Sequence, residues 1–286
     1  MKTQLVDNLP VKLSDAVAPA IGNSIESRIA VAFISVGGIS LIEASLKECL
    51  RRGGSAEFLV GLDLSVTEPN ALWTLFSMAK VESNLRCYCF TKLGPAAAYH
   101  PKLYIATSED SATIVIGSSN LTAGGLGRNI EVNILIRADL EEEIVSDTYA
   151  VYDRLKFHPH RVEPDEELLA FYEELYALKR KQERTLRRAS QLAQLESRFK
   201  DKAASLQSPT PTARDLFGWQ RLVFERLPKG QFSTHDVYKL EEQLASHYPE
   251  NKNVRAKIRP ILQQLRDLKL IEHTARGTWV RKRNAY

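Results

Sequence analysis

HPKLYIATSEDSATIVIGSSNLTAGGLGRNIEVN (residues 100–133) carries three polar clusters, each set beside an apolar run. The runs predict strands at His100–Ala106, Ala112–Gly117 and Ile130–Ile136. Side chains alternate along a strand, so residues two apart share a face. His100 and Lys102 then project together, and Ser118 and Asn120 do likewise if Ser118 extends its strand. Asn129, Glu131 and Asn133 share a third face, opposite Ile130, Val132 and Ile134. Polar faces are costly inside a sheet covered on both sides unless they meet in a cleft. Three of them so close in sequence point to a site.

Working outward, the first 140 residues alternate between short apolar runs and helical spacing. Ile29–Val36 (IAVAFISV) reads as a buried strand broken by Gly37 and Gly38. Ile39–Arg52 reads as a helix closed by Gly53-Gly54. Ala56–Leu62 is a second strand, Asn70–Lys80 a helix and Leu85–Phe90 a third strand. This pattern predicts an α/β domain with both sheet faces covered. Leu140–Phe157 follows as a helix. Pro164 to about Lys202 is rich in Glu, Lys, Arg, Leu and Ala, as in one long exposed helix or a helical pair. Its stripe of Leu168, Leu169, Phe171, Tyr172, Leu175 and Leu178 can pack on the preceding domain or on a second subunit. Ser208-Pro209-Thr210-Pro211-Thr212 is a linker. The expected divisions are 1–163, a helical connector over 164–211, and 212–286.

The residue types of the polar clusters suit phosphodiester chemistry. Imidazole serves as nucleophile or as general acid–base near neutral pH. An ammonium beside it holds a phosphate oxygen and offsets developing charge. Ser and Asn donate to the remaining oxygens, and a carboxylate such as Glu131 can orient the histidine and favour its protonated form. No Asp/Glu/His cluster of metal-binding type surrounds them, so the expectation is catalysis with no metal and no cofactor.

These residues resemble the signature of the phospholipase D superfamily, His-x-Lys followed by Gly-Ser-x-Asn. His100 and Lys102 match the first part; Gly117, Ser118 and Asn120 match the second. Glu131 falls where single-motif nucleases of that family carry a glutamate. The resemblance implies a phospholipase D-like mixed sheet covered by helices. It also implies a covalent phosphohistidine at His100, with Lys102, Ser118 and Asn120 on the phosphate. One departure is Thr107, where the family usually has Asp; Asp110 lies nearby, and the gap to Gly117 is longer than usual. The mechanism needs two histidines and the chain has one motif, because His158 and His160 lack its companions and read as loop residues. A homodimer with one composite site at its two-fold axis follows as an expectation.

The last 75 residues differ in charge. From Thr212 onward there are 15 Lys and Arg against 8 Asp and Glu, whereas the rest has 24 against 27. Such a basic excess points to a polyanion-binding module. Asp215–Leu227 reads as an amphipathic helix. Thr234 caps a helix to about His247, and Asn253 one ending near Leu268. Strands Leu270–Glu272 and Thr278–Arg281 flank the turn Arg276-Gly277. Helix, helix, helix, hairpin is the order of a small α+β winged-helix domain. In the third helix Ile258, Ile261, Leu262, Leu265 and Leu268 form a core stripe. Arg255, Arg259 and Arg266, with Gln263 close by and Lys257 on the same helix, are the candidate base- and phosphate-contacting residues. Pro260 should kink this helix or mark a late start. Arg276, Trp279, Arg281, Lys282 and Arg283 would lie on or beside the wing. The segment Val254–Glu272 resembles C-terminal winged-helix domains of restriction endonucleases, some of which recognise a short or methylated site.

The remaining composition sets outer bounds. Hydrophobic residues make up 44% and charged residues 26%, as in soluble globular proteins. MKTQLVDNLPVKL has no apolar core of a signal peptide, and no run of about eighteen apolar residues would span a membrane. Cys49, Cys87 and Cys89 are too few for a disulfide framework and fit a reducing cytoplasm, with Cys87 and Cys89 on one face of a buried strand. The leading expectation is a metal-independent, restriction-type DNA endonuclease. The alternatives are a lipid or small-phosphodiester hydrolase and a non-catalytic DNA-binding regulator on the same fold.

Overall fold

The computed structural model describes residues 1–62, 65–91, 98–187, 190–205, 211–247 and 253–282. The chain divides into two compact units, Met1–Ala193 and Gln194–Tyr286. The first begins with β1 (Lys2–Val6), α1 (Ser14–Asn23), β2 (Glu26–Val31), α2 (Val36–Arg51), β3 (Ser55–Gly61), α3 (Pro69–Val81) and β4 (Leu85–Phe90). It continues with β5 (Lys102–Thr107), β6 (Ser111–Gly117), β7 (Asn133–Asp139), α4 (Glu143–Lys156), β8 (Arg161–Val162) and α5 (Glu166–Arg187). A further helix, α6, spans Ser190–Ser205.

The eight strands form one mixed sheet in the order β1-β7-β6-β5-β2-β3-β4-β8. β2, β3 and β4 run parallel, and every other neighbouring pair is antiparallel. Strand alternation divides the core into two layers. Ile29, Val31, Phe58, Val60, Cys87 and Cys89 pack on one face under residues of α1, α2, α3 and α5. Ala30, Leu59, Tyr88, Leu103, Ile105 and Ile136 pack on the other, under Val145 and Tyr152 of α4. All three cysteines are free and buried. In α5, Leu169 and Tyr172 belong to the core, and the Tyr172 hydroxyl donates to the Thr67 carbonyl (2.8 Å). Phe171, Leu175 and Leu178 of the expected stripe stay exposed, because they occupy the opposite side of the helix.

Several boundaries differ from the periodicity. The strand expected over Ile29–Val36 ends at Val31, because the next residues find partners off the ladder. Phe33 N donates to the Asn120 side chain (3.1 Å), Ile34 bridges to Leu121, and Ser35 caps α2. Gly37 and Gly38 therefore lie in the first turn of α2. A Cβ at Gly38 would sit 2.0 Å from the Leu121 carbonyl oxygen, so only glycine permits this approach. The strand expected over Ile130–Ile136 begins at Asn133, and that expected from His100 begins at Lys102. Pro101 stands just before β5, where its missing N–H costs no ladder bond, and its carbonyl accepts from Ala32 N (3.0 Å). The edge strand β1 and helix α1 have no counterpart in the sequence reading.

The second unit contains α7 (Gly218–Arg226), β9 (Gln231–Ser233), α8 (Thr234–Tyr238), α9 (Glu241–Ala245), α10 (Val254–Asp267), β10 (Ile271–Ala275) and β11 (Thr278–Arg281). Its three-stranded sheet has the order β10-β11-β9. The first helix starts at Gly218 rather than Asp215, because Thr212 and Asp215 form a capping box on a separate short turn. The cap of α8 is Ser233, which exchanges hydrogen bonds with Asp236, rather than Thr234. The helix expected to reach His247 is two short ones. Asn253 caps α10 through Ala256 N, and the helix runs on through Pro260, which is exposed. Ser208, Pro209 and Thr210 of the expected linker lie outside the described residues.

Candidate active site

Strand directions bring the polar clusters together. Val31 pairs with Lys102, Gly117 with Asn133, and Asn133 with Val6. The start of β5, the end of β6 and the start of β7 thus share one end of the sheet with the carboxyl end of β2. Carboxyl ends of parallel strands are where open α/β sheets place their ligands.

His100 is exposed at this end. Its ring stands edge-on to Phe33, with centroids 5.5 Å apart. Lys102 Nζ lies 2.6 Å from His100 Nδ1 and donates to the His100 carbonyl at 2.9 Å. Partial burial, and then the Lys102 charge, hold the His100 pKa below its ordinary value, favouring neutral imidazole. Burial also lowers the Lys102 pKa, and Glu131 nearby partly restores it. Nuclear magnetic resonance titration is therefore expected to find the His100 midpoint below about 6.5, the usual histidine value. In Lys102→Gln the midpoint should rise. A midpoint unmoved by that substitution would remove the lysine as a cause.

Ser118 lies just past β6. Its hydroxyl donates to Glu131 Oε2 and accepts from Val132 N (2.9 Å). Glu131 also accepts from Asn129 Nδ2 (3.3 Å). The carboxylate thus engages Ser118 and Asn129, and no hydrogen bond joins it to His100 among the described residues. Asn120 Oδ1 accepts from Phe33 N, which fixes the amide orientation and leaves Nδ2 to donate. Gly117 is needed for closeness: a Cβ there would lie 2.4 Å from Asn133 Oδ1.

Asn133 does not share the exposed face with Asn129 and Glu131. It is 1% exposed, donates to Ser119 Oγ (2.9 Å) and to the Val6 carbonyl (3.2 Å), and accepts from Ser119 N (3.2 Å). Tyr104, a neutral phenol whose pKa burial pushes up, donates to the Ser119 carbonyl (3.0 Å). Buried Ser119, Asn133 and Tyr104 thus pin the Gly117–Asn120 turn from beneath. The sequence reading missed this support, and it missed Phe33. Its signals were faint: a polar Asn at the head of an apolar strand, and one aromatic in an aliphatic run. Thr107, where the resemblance expects Asp, is at the far end of β5, bonded to the Tyr149 hydroxyl (2.6 Å). His158 and His160 lie between α4 and β8, and His158 packs against Phe90.

Residues 23–155 match the family profile described as Cardiolipin synthase, PLD-like domain. The chain carries a phospholipase D-like domain. Residues 219–281 match a second profile, the Dam-replacing HTH domain. Among solved structures, NucT from Helicobacter pylori aligns at 15% identity and TM-score 0.44, covering 57% of this chain and 99% of that one. Nuc of Salmonella typhimurium, a phospholipase D family member, aligns at 13% and 0.42, covering 54% and 91%. No curated protein sequence matches.

In the helix-turn-helix domain, Lys257, Arg259 and Gln263 are exposed on α10, and Arg276 is exposed at the tip of the β10–β11 hairpin. Arg255 pairs with Glu241 (2.6 Å) and Arg266 with Asp267 (2.8 Å); both remain at the surface. Arg281 is not a surface contact. It is 8% exposed, its guanidinium lies 4.1 Å over the Phe224 ring, and it donates to the Leu227 carbonyl. Trp279 is also buried, donating to Thr234 Oγ1 (2.9 Å). Both alternate inward along β11, which is why they join the core. Arg283 lies outside the described residues. No helix among the described residues is long and apolar enough to cross a membrane.

Proposed function

We propose that this chain is a restriction-type DNA endonuclease of the cytoplasm that works without a metal, through a phosphohistidine, at a site shared by two copies of the chain. The observation that carries the reading is the convergence of His100, Lys102, Ser118, Asn120 and Glu131 at one end of the sheet. The helix-turn-helix domain supports DNA as the substrate. Its exposed Lys257, Arg259, Gln263 and Arg276, with Arg255 and Arg266, supply the contacts.

A phosphate oxygen is a stronger acceptor than a neutral ring nitrogen, so a bound diester draws Lys102 off His100 and frees the imidazole. Lys102 and Asn120 hold the non-bridging oxygens, joined by Ser118 once its hydroxyl turns from Glu131 to the phosphate. The neutral His100 nitrogen attacks phosphorus, the P–O bond to the leaving strand breaks, and that oxygen takes a proton from the partner's His100. The partner's His100 enters the step as the charged imidazolium, so the shared site works with one copy neutral and one protonated. Water then attacks the phosphohistidine. The partner's His100, now neutral, accepts the water's proton, and the N–P bond breaks. Lys102 offsets the developing charge, the role a metal has in other nucleases.

An apolar strip beside the site supports a homodimer. Leu5, Ile134 and Ile116 stand side by side across β1, β7 and β6, at 73%, 44% and 45% exposure. Ile130 and Val132 are also exposed, at 86% and 65%. A second copy over this strip would cover it and bring a second His100 to the same rim.

The test is cleavage of methylated and unmethylated genomic DNA by the full chain in excess EDTA. Discrete fragments are expected. Intact DNA that becomes fragmented only when Mg²⁺ is restored would overturn the metal-free reading; intact DNA in both conditions would overturn the nuclease reading.

A further inference from the structure

A cleft of about 510 Å³ opens where the first residues of α2 and α3 meet α5. Val36, Glu68 and Asn70 line one side; Tyr176, Arg180, Lys181 and Arg184 line the other. It adjoins the candidate active site through one short segment. Phe33 touches the His100 ring, the Ile34 carbonyl accepts from Glu68 N (3.0 Å), and Val36 N donates to Glu68 Oε2 (2.7 Å).

The charges of this cleft are unevenly engaged. Glu68 is bound to the first N–H of α2, where the helix end offsets its charge. Glu173 accepts from Trp73 Nε1 (3.2 Å). Arg180 lies 5.1 Å over the Tyr176 ring and pairs with Glu183. Lys181 and Arg184 are exposed and three residues apart, hence on neighbouring positions of one helix side. Neither makes an ion pair among the described residues. Lys179, just before them, reaches Ser65 Oγ (2.8 Å) in the segment between β3 and α3. Lys181 to Arg184 spans about 4.5 Å along the helix axis, close to the axial step of about 3.4 Å between successive phosphates of one DNA strand. The described lining holds no His, Cys or Ser nucleophile, so its chemistry is binding.

We propose that this cleft holds the sugar–phosphate backbone of the DNA strand being cut, a few nucleotides from the scissile phosphate, with Lys181 and Arg184 on successive phosphates. This rests on the nuclease reading of the same domain. It gives the catalytic unit its own hold on DNA, separate from the helix-turn-helix domain.

The test compares the full chain with Lys181→Glu/Arg184→Glu and with a control, Lys47→Glu/Arg51→Glu, which makes the same charge change further along α2. Each is assayed on long DNA over a range of salt and on bis(p-nitrophenyl) phosphate, a diester too small to reach the cleft. The ratio of DNA to small-diester kcat/KM is expected to fall at least about tenfold in the cleft variant only. Its log–log salt dependence should become shallower by about 1.8, the value for two lost phosphate contacts. The milder Lys181→Gln/Arg184→Gln should shift both readouts in the same direction. An unchanged ratio and slope would overturn the cleft assignment and leave the nuclease reading standing, as would an equal loss in the control. A wild-type chain that hydrolyses the small diester but never DNA would overturn the nuclease reading itself.

Discussion

His100→Ala is expected to lower DNA cleavage by about four to six orders of magnitude, the usual cost of removing a nucleophile that forms a covalent intermediate. In barrier terms this is about 5–8 kcal/mol. DNA affinity should stay close to wild type, because Lys102, Ser118 and Asn120, proposed to hold the phosphate, remain, as does the surface of the helix-turn-helix domain. The fold should also hold. His100 is exposed, and its contacts are the Phe33 edge and Lys102, so its loss leaves no large cavity. Gel-shift affinity and cleavage rate, measured on one preparation, separate the two quantities. A variant that cuts at a tenth of the wild-type rate would mean that another group attacks phosphorus. A variant that no longer binds DNA would mean that His100 holds substrate rather than reacting with it.

The second large effect concerns the number of chains in the site. Ile134 is cross-strand neighbour to both Leu5 and Ile116, at the centre of the exposed apolar strip. Ile134→Glu places a charge where the partner would cover it, and burying an unpaired carboxylate costs several kcal/mol. The expected product is a folded monomer by analytical ultracentrifugation, with cleavage as low as that of His100→Ala. Mixing subunits gives an independent readout. If one site needs two copies of His100, co-refolded chains lose activity as the square of the wild-type fraction. An equal mixture of wild type and His100→Ala then retains about one quarter of the activity, not one half. A linear decline, or a monomer that cuts at full rate, would overturn the composite site. The strip offers a further check, because hydrogen exchange at β1 and β7 should slow with protein concentration in the wild type and not in Ile134→Glu.

The local clusters of the candidate site were legible in the sequence. The two-residue spacing of His100 and Lys102, the turn around Gly117, Ser118 and Asn120, and Glu131 beyond it could all be read because each depends on near neighbours in the chain. The same holds for α2, α3 and α10, whose apolar spacing and Asn253 cap are local signals, and for the basic excess of the last 75 residues. Tertiary structure decided where those signals stop. Periodicity alone would continue the strand from Ile29 to Val36. It ends at Val31 because Asn120, 87 residues ahead of Phe33, takes the Phe33 N–H. Asn133 looked like a third member of the polar face, yet it is a buried pin under the Gly117–Asn120 turn, since its amide finds Ser119 and Val6 inside. Arg281 looked like a DNA contact and instead packs on Phe224, because alternation along β11 turns it inward. Glu131 could be placed in the site by spacing, but only the fold shows it bonded to Ser118 and Asn129. Sequence by itself determined which candidate groups this protein brings to the site, because side-chain type and short spacing are properties of the chain. Which groups meet, and which are sealed in the core, was decided by antiparallel pairing and burial between residues far apart, for which one sequence holds no local record.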